Sequence, residues 1–320
     1  MRGCFPVMNG GDGVILSKRG DVCYGWEVEL PPAFRCNEER YDAIVQALFS
    51  AVTLLPDYTV VHKQDVYMKK KYVAEKSDGL LQEAYERHFD GREYLDHRCR
   101  LFLIFSSKKN VRGASSGLLG ISAGGSMPKA EALARYAAMA EQFATVVQGC
   151  GLLEMRRLTE DDIFGVGDFP GLIQDYLNFT DEGEDVLSDI QMRRDRVRTG
   201  DRYIGCHLIA DLDQLPAEVA SCRKVTSLST DSSAVNLSFL NEIGQELDCE
   251  HIVNHFILKE PQKDIHGELD TRRRQMLSMS ARSAENRMYS EELNEFLEET
   301  ATEQMHTVRF HINVLAGGTA

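Results

Sequence analysis

The chain has 320 residues, of which 43% are hydrophobic and 27% charged, and its formal net charge at pH 7 is -14. This composition excludes a wholly disordered chain, and so acidic a surface repels nucleic acid and anionic lipid at long range unless a basic patch is present. No run of about 18 apolar residues occurs, so the sequence predicts no transmembrane segment. The eight cysteines are scattered without a C-x-x-C pair, which predicts reduced thiols in a cytoplasmic protein.

The N-terminal residues predict a hairpin followed by a helix. Residues 13–17 and 22–30 alternate as two strands, and the apolar side chains of the second strand share one face. Asn37 is a predicted N-cap, because apolar residues at helical spacing follow it as far as Pro56, which closes the helix.

Three more elements complete the first predicted subdomain. Residues 58–67 return to the alternation of a strand, 80–89 form a short amphipathic helix, and 98–105 are a dense apolar strand. This order of elements, a hairpin followed by helix, strand, helix and strand, predicts an α+β subdomain over residues 1–106. Residues 107–127 are rich in Ser, Gly, Lys and Ala, which predicts a flexible linker or loop and a domain boundary.

Residues 128–320 are predicted to form a second α+β subdomain. The predicted elements are a helix over 128–148, a strand over 152–158, a short helix over 171–178, a strand over 203–210, a helix over 235–246, a strand over 248–259, two helices within 268–304 broken near 280–290, and a strand over 308–315. The chain ends soon after this strand, where an α+β unit would normally continue, so we expect a truncated C-terminus. The predicted fold class is α+β, with mixed or antiparallel sheets, packed helices and no RecA-like ATPase domain.

Two patterns of chemical interest have structural alternatives. The phosphate-binding pattern G-x-x-x-x-G-K-[ST] is absent, and no catalytic residue or cofactor-binding residue is predicted. His251 and His255 have the spacing of a zinc helix, but no Glu lies between them and the surrounding alternation favours a strand, with a cross-strand polar pair at a sheet edge. We therefore predict no metal ligand.

A basic run is the strongest local exception to the acidic background, and it comprises Arg193, Arg194, Arg196, Arg198 and Arg202. These side chains could contact phosphates or acidic lipid headgroups. The alternative is a solvated turn before the strand at Tyr203, since Asp195 and Asp201 are interspersed. The run is the candidate interaction site of the chain.

Three segments carry a resemblance to a known family. They are GVILSKRGDVCYGWEVELPP at 13–32, LLPDYTVVHKQDVY at 54–67 and ERHFDGREYLDHRCRLFLIF at 86–105, and the similarity continues through RSAENRMYSEELNEF at 282–296. In these segments the chain resembles the start of the TraG-type conjugation ATPases of Bacteroidetes conjugative transposons, members of the VirB/TraC-like family of type IV secretion motors.

The resemblance implies a non-catalytic N-terminal region that docks at the inner-membrane base of a conjugation channel. It implies inner-membrane and cytoplasmic components of the apparatus as partners, self-association, and a cytoplasmic location at the inner-membrane face. ATP and Mg²⁺ are expected only in a missing C-terminal domain, so we expect this chain not to be an enzyme. The alternative function is a nucleic-acid-handling protein of conjugative transfer that uses the Arg193–Arg202 run.

Overall fold

The computed structural model describes most of the chain. The described residues are 7–32, 36–76, 78–112, 127–166, 169–179, 190–209, 220, 222–230, 233–238, 247–281, 283–302 and 305–319. The strands described there are β1 Val7–Gly11, β2 Val14–Ser17, β3 Val22–Glu29, β4 Thr59–Lys71, β5 Glu93–Phe105, β6 Glu154–Arg157, β7 Gly165–Val166, β8 Phe169–Pro170, β9 Ile190–Met192, β10 Val197–Thr199, β11 Arg202–Leu208, β12 Arg223–Lys224, β13 Asn236–Leu237, β14 Glu250–Lys259 and β15 Arg309–Thr319.

The helices confirm the predicted α+β class. In the described residues they are α1 Glu38–Leu54, α2 Leu80–Phe89, α3 Lys108–Arg112, α4 Ala130–Gln148, α5 Glu160–Phe164, α6 Leu172–Asn178, α7 Gln262–Met279 and α8 Ala284–Thr302. The predicted N-cap of α1 is confirmed, because the side chain of Asn37 accepts a hydrogen bond from the backbone N–H of Arg40. The predicted pair of C-terminal helices is also confirmed, although α7 begins before residue 268.

One antiparallel sheet of eleven strands organises the described part of the chain. Its strand order is β1-β2-β3-β5-β4-β14-β15-β11-β10-β9, and β6 pairs with the C-terminal half of β3. The predicted hairpin is the β2–β3 pair, and β4 and β5 pair over their whole length from Thr59–Phe105 to Lys71–Glu93. Within the described residues, β1 and β9 are therefore the outermost strands of the sheet.

The main hydrophobic core lies between one face of this sheet and the helices α1 and α4. The predicted inward face of β3 is confirmed, since Val22, Tyr24 and Trp26 are almost completely buried. The helical spacing of α4 buries Phe143 against Trp26, with ring centroids 6.1 Å apart. Burying such aromatic side chains contributes roughly 2–3 kcal/mol each, so this face holds the sheet and the two helices together.

The predicted boundary at residues 107–127 separates segments that meet again in this sheet. Strand β14 pairs with β4 from His251–Tyr67 to Lys259–Thr59, and α4 packs on α1. The division into two subdomains stays a prediction, while the sheet and its main core contain residues from both sides. The side chains on β4 are consequently flanked by strands that are distant in sequence.

Two predicted elements are corrected by the structure. The linker prediction is wrong for its first residues, because 108–112 form α3, held by hydrogen bonds from the Asn110 side chain to Asp21 and to the Arg19 carbonyl. The rest of the predicted linker, 113–126, lies outside the described residues. The helix predicted over 235–246 is wrong at its start, where β13 pairs with β12 and Leu237 is buried; residues 239–246 lie outside the described residues.

The second face of the sheet carries a smaller core around Phe179, the residue that follows α6. Phe179 adopts a left-handed backbone conformation with φ of 54° and is almost fully buried. Its ring lies over Gly317 of β15, where a Cβ atom would overlap the ring. This packing ties α6 to the end of the sheet that carries β11, β10 and β9.

Candidate docking surfaces

The structure divides the predicted arginine run into exposed and packed members. Arg193, Arg194 and Arg196 are exposed in the turn that joins β9 to β10. Arg198 lies on β10 opposite Tyr203 of β11, and its Nε donates to the Gly200 carbonyl. The predicted turn before the Tyr203 strand is therefore present, and it is the tip of a hairpin within the main sheet.

Two of these arginines cover one aromatic ring. The guanidinium carbons of Arg196 and Arg198 lie 5.6 Å and 5.7 Å from the ring centroid of Tyr203. Arg196 also pairs with Asp195 at 2.7 Å. A nucleotide base that stacked on the Tyr203 ring would therefore compete with these two guanidinium groups.

Arg202 has a packing role. Its Nη1 donates to the carbonyl of Phe179 at 3.1 Å and pairs with the carboxylate of Glu250, and both side chains of the ion pair are only 16% exposed. Arg202 thereby links β11, β14 and the residue that follows α6.

We expect Arg202→Ala to lower the free energy of unfolding by about 2 kcal/mol, because Glu250 and the Phe179 carbonyl would lose their charged donor. The exposed Arg194→Ala is the matched control, with an expected change within about 0.5 kcal/mol. Urea unfolding of both variants measures the difference. Equal stability of the two would contradict the packing role of Arg202.

The edge strand β9 exposes apolar side chains. Ile190 is 50% exposed and Met192 is 65% exposed. Ile190 lies opposite Thr199, and Met192 lies opposite Val197, which pairs in turn with Ile204 of β11, a residue that packs against the smaller core. Edge strands that only need protection from aggregation usually carry charged residues or Pro, so two exposed apolar residues here indicate a contact surface.

After the β9 edge, the second candidate surface is helix α2. It lies between the ends of β4 and β5, and it turns apolar residues outward. Among its ten residues, all of them described, only Glu86 is buried. The Glu86 carboxylate accepts hydrogen bonds from the Tyr72 hydroxyl at 2.7 Å and from the Glu75 N–H at 2.9 Å. Leu80 and Leu81 are 83% and 86% exposed. A polar residue thus fixes the helix, and its apolar side faces solvent.

The third surface is the turn between α7 and α8, which pack along each other. Four apolar side chains close to this turn are about half exposed: Leu277, Met279, Met288 and Tyr289. Methionine-rich surfaces adapt to differently shaped partners because the side chain is flexible and polarisable. This turn therefore has the composition of a contact surface too.

The centre of β4 carries four consecutive polar residues, two on each face of the sheet. On the helix-covered face, the Asp65 carboxylate pairs with Lys63 and is 3.0 Å from Nε2 of His97. Burial alone would raise the pKa of Asp65, but the hydrogen bond from His97 and the charge of Lys63 hold it well below its usual value. Asp65 is therefore an anion that organises its neighbours.

The polar side chains of Lys63, Asp65 and His97 do not activate the neighbouring Cys99 as a nucleophile. Cys99 lies opposite Asp65 in the sheet, and burial raises the pKa of its thiol to about 12, while Lys63 lowers it only in part. A reactive cysteine needs a lowered pKa, so the Cys99 thiol stays protonated and unreactive. His97 and Cys99 also line an open cleft of about 690 Å³ beside β3 and β6, whose rim includes Glu27, Glu29 and Glu154.

The opposite face of β4 carries a ring stack across four strands. His62 stacks between Phe102 of β5 and Phe256 of β14, with centroid distances of 5.4 Å and 4.1 Å, and Phe256 stacks on His311 of β15. His62 Nε2 is 2.9 Å from Oδ1 of Asn254. These contacts explain why His62 is tolerated inside the sheet, because it has aromatic rings and an amide as partners on the neighbouring strands.

The histidines that resemble a zinc site lie on β14, so the strand prediction is confirmed. The predicted position at a sheet edge is wrong, because β14 lies between β4 and β15. The His251 ring stacks on Tyr67 at 4.5 Å. Across the described residues, no group of three or more His, Cys, Asp or Glu side chains is arranged to hold a metal ion.

Sequence reasoning missed the outward face of α2 and the apolar edge of β9. The spacing of Leu81, Tyr85 and Phe89 is that of an ordinary amphipathic helix, and only the burial of Glu86 reveals which side faces the protein. Strand β9 has three residues, too few for a periodic signal. Neither surface had a usable signal in the sequence.

No protein-family model matches the chain, and no curated protein is significantly similar to it. Among the helices in the described ranges, none combines the length and apolar character needed to cross a bilayer.

Proposed function

We propose that the chain is a non-catalytic docking and assembly module, and that it serves the motor of a conjugative type IV secretion apparatus. The observation that carries the docking role is α2, which buries Glu86 and leaves Leu80, Leu81 and Tyr85 exposed where the chain passes from β4 to β5. Exposed apolar clusters on a folded domain usually mark contact sites for proteins or membranes.

The sequence resemblance supports the conjugation context. Its segments 13–32, 54–67 and 86–105 comprise β2, β3, most of β4, the end of α2 and β5. These elements are the scaffold that presents α2. In this proposal the partners are inner-membrane and cytoplasmic components of the apparatus, the chain works at the cytoplasmic face of the membrane, and the family's ATP chemistry uses no residue of this chain.

The docking role predicts that Leu81→Glu lowers recovery of the chain with the membrane fraction of conjugating donor cells about tenfold, because an apolar side chain that the partner covers becomes charged. Gln82→Glu adds the same charge at the next exposed position and is the matched control. A photo-crosslinking residue at position 81 should capture an inner-membrane component, and the same residue at position 82 should capture much less.

Equal membrane recovery of Leu81→Glu and the unaltered chain, with both folded by circular dichroism, would contradict docking through α2. Tight ATP binding by the purified chain in calorimetry would contradict the non-catalytic role.

A further inference from the structure

The outer edge of β9 pairs with no other strand among the residues that the structure describes. Arg193 donates its N–H to the carbonyl of Arg196 at 2.9 Å, so these two residues form the hydrogen-bonded pair that closes the β9–β10 turn. Hydrogen-bonded and non-hydrogen-bonded pairs alternate in an antiparallel ladder. The N–H and C=O groups of Met192 and Ile190 therefore point away from β10, where the described part of the chain places no further strand.

The same edge combines apolar side chains with positive charge. Ile190 and Met192 are half exposed or more, and Arg193 and Arg194 follow them directly. The chain as a whole is acidic, with a formal net charge of -14, so this short basic edge differs in sign from its background. The edge is therefore complementary in charge to an acidic partner.

We infer that β9 binds an extended acidic segment of another protein by strand addition. The backbone of that segment pairs with the N–H and C=O groups of Ile190 and Met192 that point away from β10. Its apolar side chains cover Ile190 and Met192, and its Glu or Asp side chains meet Arg193 and Arg194. This site lies on a different strand from α2 and does not depend on the proposed conjugation role.

Peptide is favoured over single-stranded nucleic acid at this edge. Strand addition uses backbone donors and acceptors together with apolar side chains, and β9 offers both. Single-stranded nucleic acid needs a basic groove with aromatic stacking platforms, whereas the nearest ring, Tyr203, is covered by Arg196 and Arg198.

The test uses the purified 320-residue chain and a fluorescent peptide of about eight residues in which Val alternates with Glu. We expect saturable binding, seen as a rise in fluorescence anisotropy, and slowed hydrogen exchange at the amides of Ile190 and Met192. Three further probes are measured beside it: the same peptide with Lys in place of Glu, the Glu peptide with alternate backbone nitrogens methylated, and an oligothymidine of about twenty nucleotides. Each of the three should bind at least about tenfold more weakly.

A charge-swapped variant separates a lost site from a misfolded protein. The double variant Arg193→Glu with Arg194→Glu should bind the Glu peptide about tenfold more weakly than the unaltered chain and should gain affinity for the Lys peptide. A reversed preference, with an unchanged circular dichroism spectrum, indicates that positions 193 and 194 contact the peptide on a folded chain.

Several outcomes would overturn the inference. They are no binding of the Glu peptide, equal binding of the methylated peptide, an unchanged charge preference in the double variant, preferential binding of the oligothymidine, or dimerisation of the chain through β9 in sedimentation. None of these results bears on membrane recovery of Leu81→Glu, so failure of the strand-addition site and failure of the docking role remain distinguishable.

Discussion

Gly317→Ala is expected to lower the free energy of unfolding by about 2–3 kcal/mol, the upper part of the range for overpacking in a closely packed core. Phe179 lies directly over Gly317, and the new Cβ would overlap its ring. The ring is almost fully buried in the cluster of Val66, Met68 and Ile252, so it has little room to move aside. Urea unfolding followed by circular dichroism measures the change.

Gly318→Ala is the matched control, because no heavy atom lies within 4 Å of the Cβ position at the neighbouring residue of the same strand. We expect its effect to stay within about 0.5 kcal/mol. In the Gly317→Ala background, Phe179→Leu should cost less than it does alone, since the smaller side chain relieves the overlap. Equal destabilisation by the two alanine variants, or additive effects of Gly317→Ala and Phe179→Leu, would contradict direct packing of Phe179 on Gly317.

This contact also matters for the strand-addition site. The Phe179 ring packs on Gly317, and Arg202 donates to the Phe179 carbonyl. Arg202 begins β11, and β11 carries β10 and β9 beyond it. A displaced Phe179 should therefore loosen the sheet end that presents Ile190 and Met192, and hydrogen exchange at β9 would report it.

Strands and helices with a strong repeating pattern could be predicted from the sequence. The alternation in β3 predicted the buried face of Val22, Tyr24 and Trp26, and the helical spacing of α4 predicted the burial of Phe143. In both elements local pattern and tertiary packing agree, so the pattern alone was sufficient.

The parts that could not be predicted depend on contacts between distant segments. The pairing of β14 with β4 joins residues almost two hundred positions apart, and no local pattern reports a partner at that distance. Leu237 lies in the two-stranded β12–β13 pair and not in the predicted helix. The residue before it, Asn236, accepts a hydrogen bond at its carbonyl from the Tyr41 hydroxyl of α1. The outward face of α2 depends on the hydrogen bonds of Glu86, which spacing cannot reveal.

His62 and His255 are expected to make the protein progressively less stable as pH falls from about 6.5 to about 4. Burial lowers the pKa of His62 to about 4, and the hydrogen bond that its ring donates to Oδ1 of Asn254 opposes this shift only in part. Burial likewise lowers the pKa of His255 to about 4, with Lys63 and His62 lowering it further and Asp65 opposing them. The buried Nε2 of His255 has no hydrogen-bond partner among the described residues, so a proton there would be poorly accommodated.

The sign follows from proton linkage. Between pH 4 and the ordinary histidine pKa of 6.5, the unfolded chain binds protons that folded His62 and His255 exclude, so the free energy of unfolding rises with pH in this window and levels off above it. The full shift corresponds to up to about 3 kcal/mol per histidine. Asp65 acts at lower pH: its folded pKa is depressed, so the stability it contributes is present above about pH 4 and lost below.

Urea unfolding across pH 4 to 8 measures this slope. His62→Gln should be less stable than the unaltered chain at pH 8, because a ring leaves the stack between Phe102 and Phe256, yet its stability should fall less steeply on acidification. His255→Gln should flatten the slope by a similar amount, and the double variant should flatten it most. Parallel curves for all four proteins would show that neither histidine is held neutral by the sheet. A flattened slope would show that both rings pack as neutral side chains at neutral pH, where they stabilise the scaffold that presents α2 and β9.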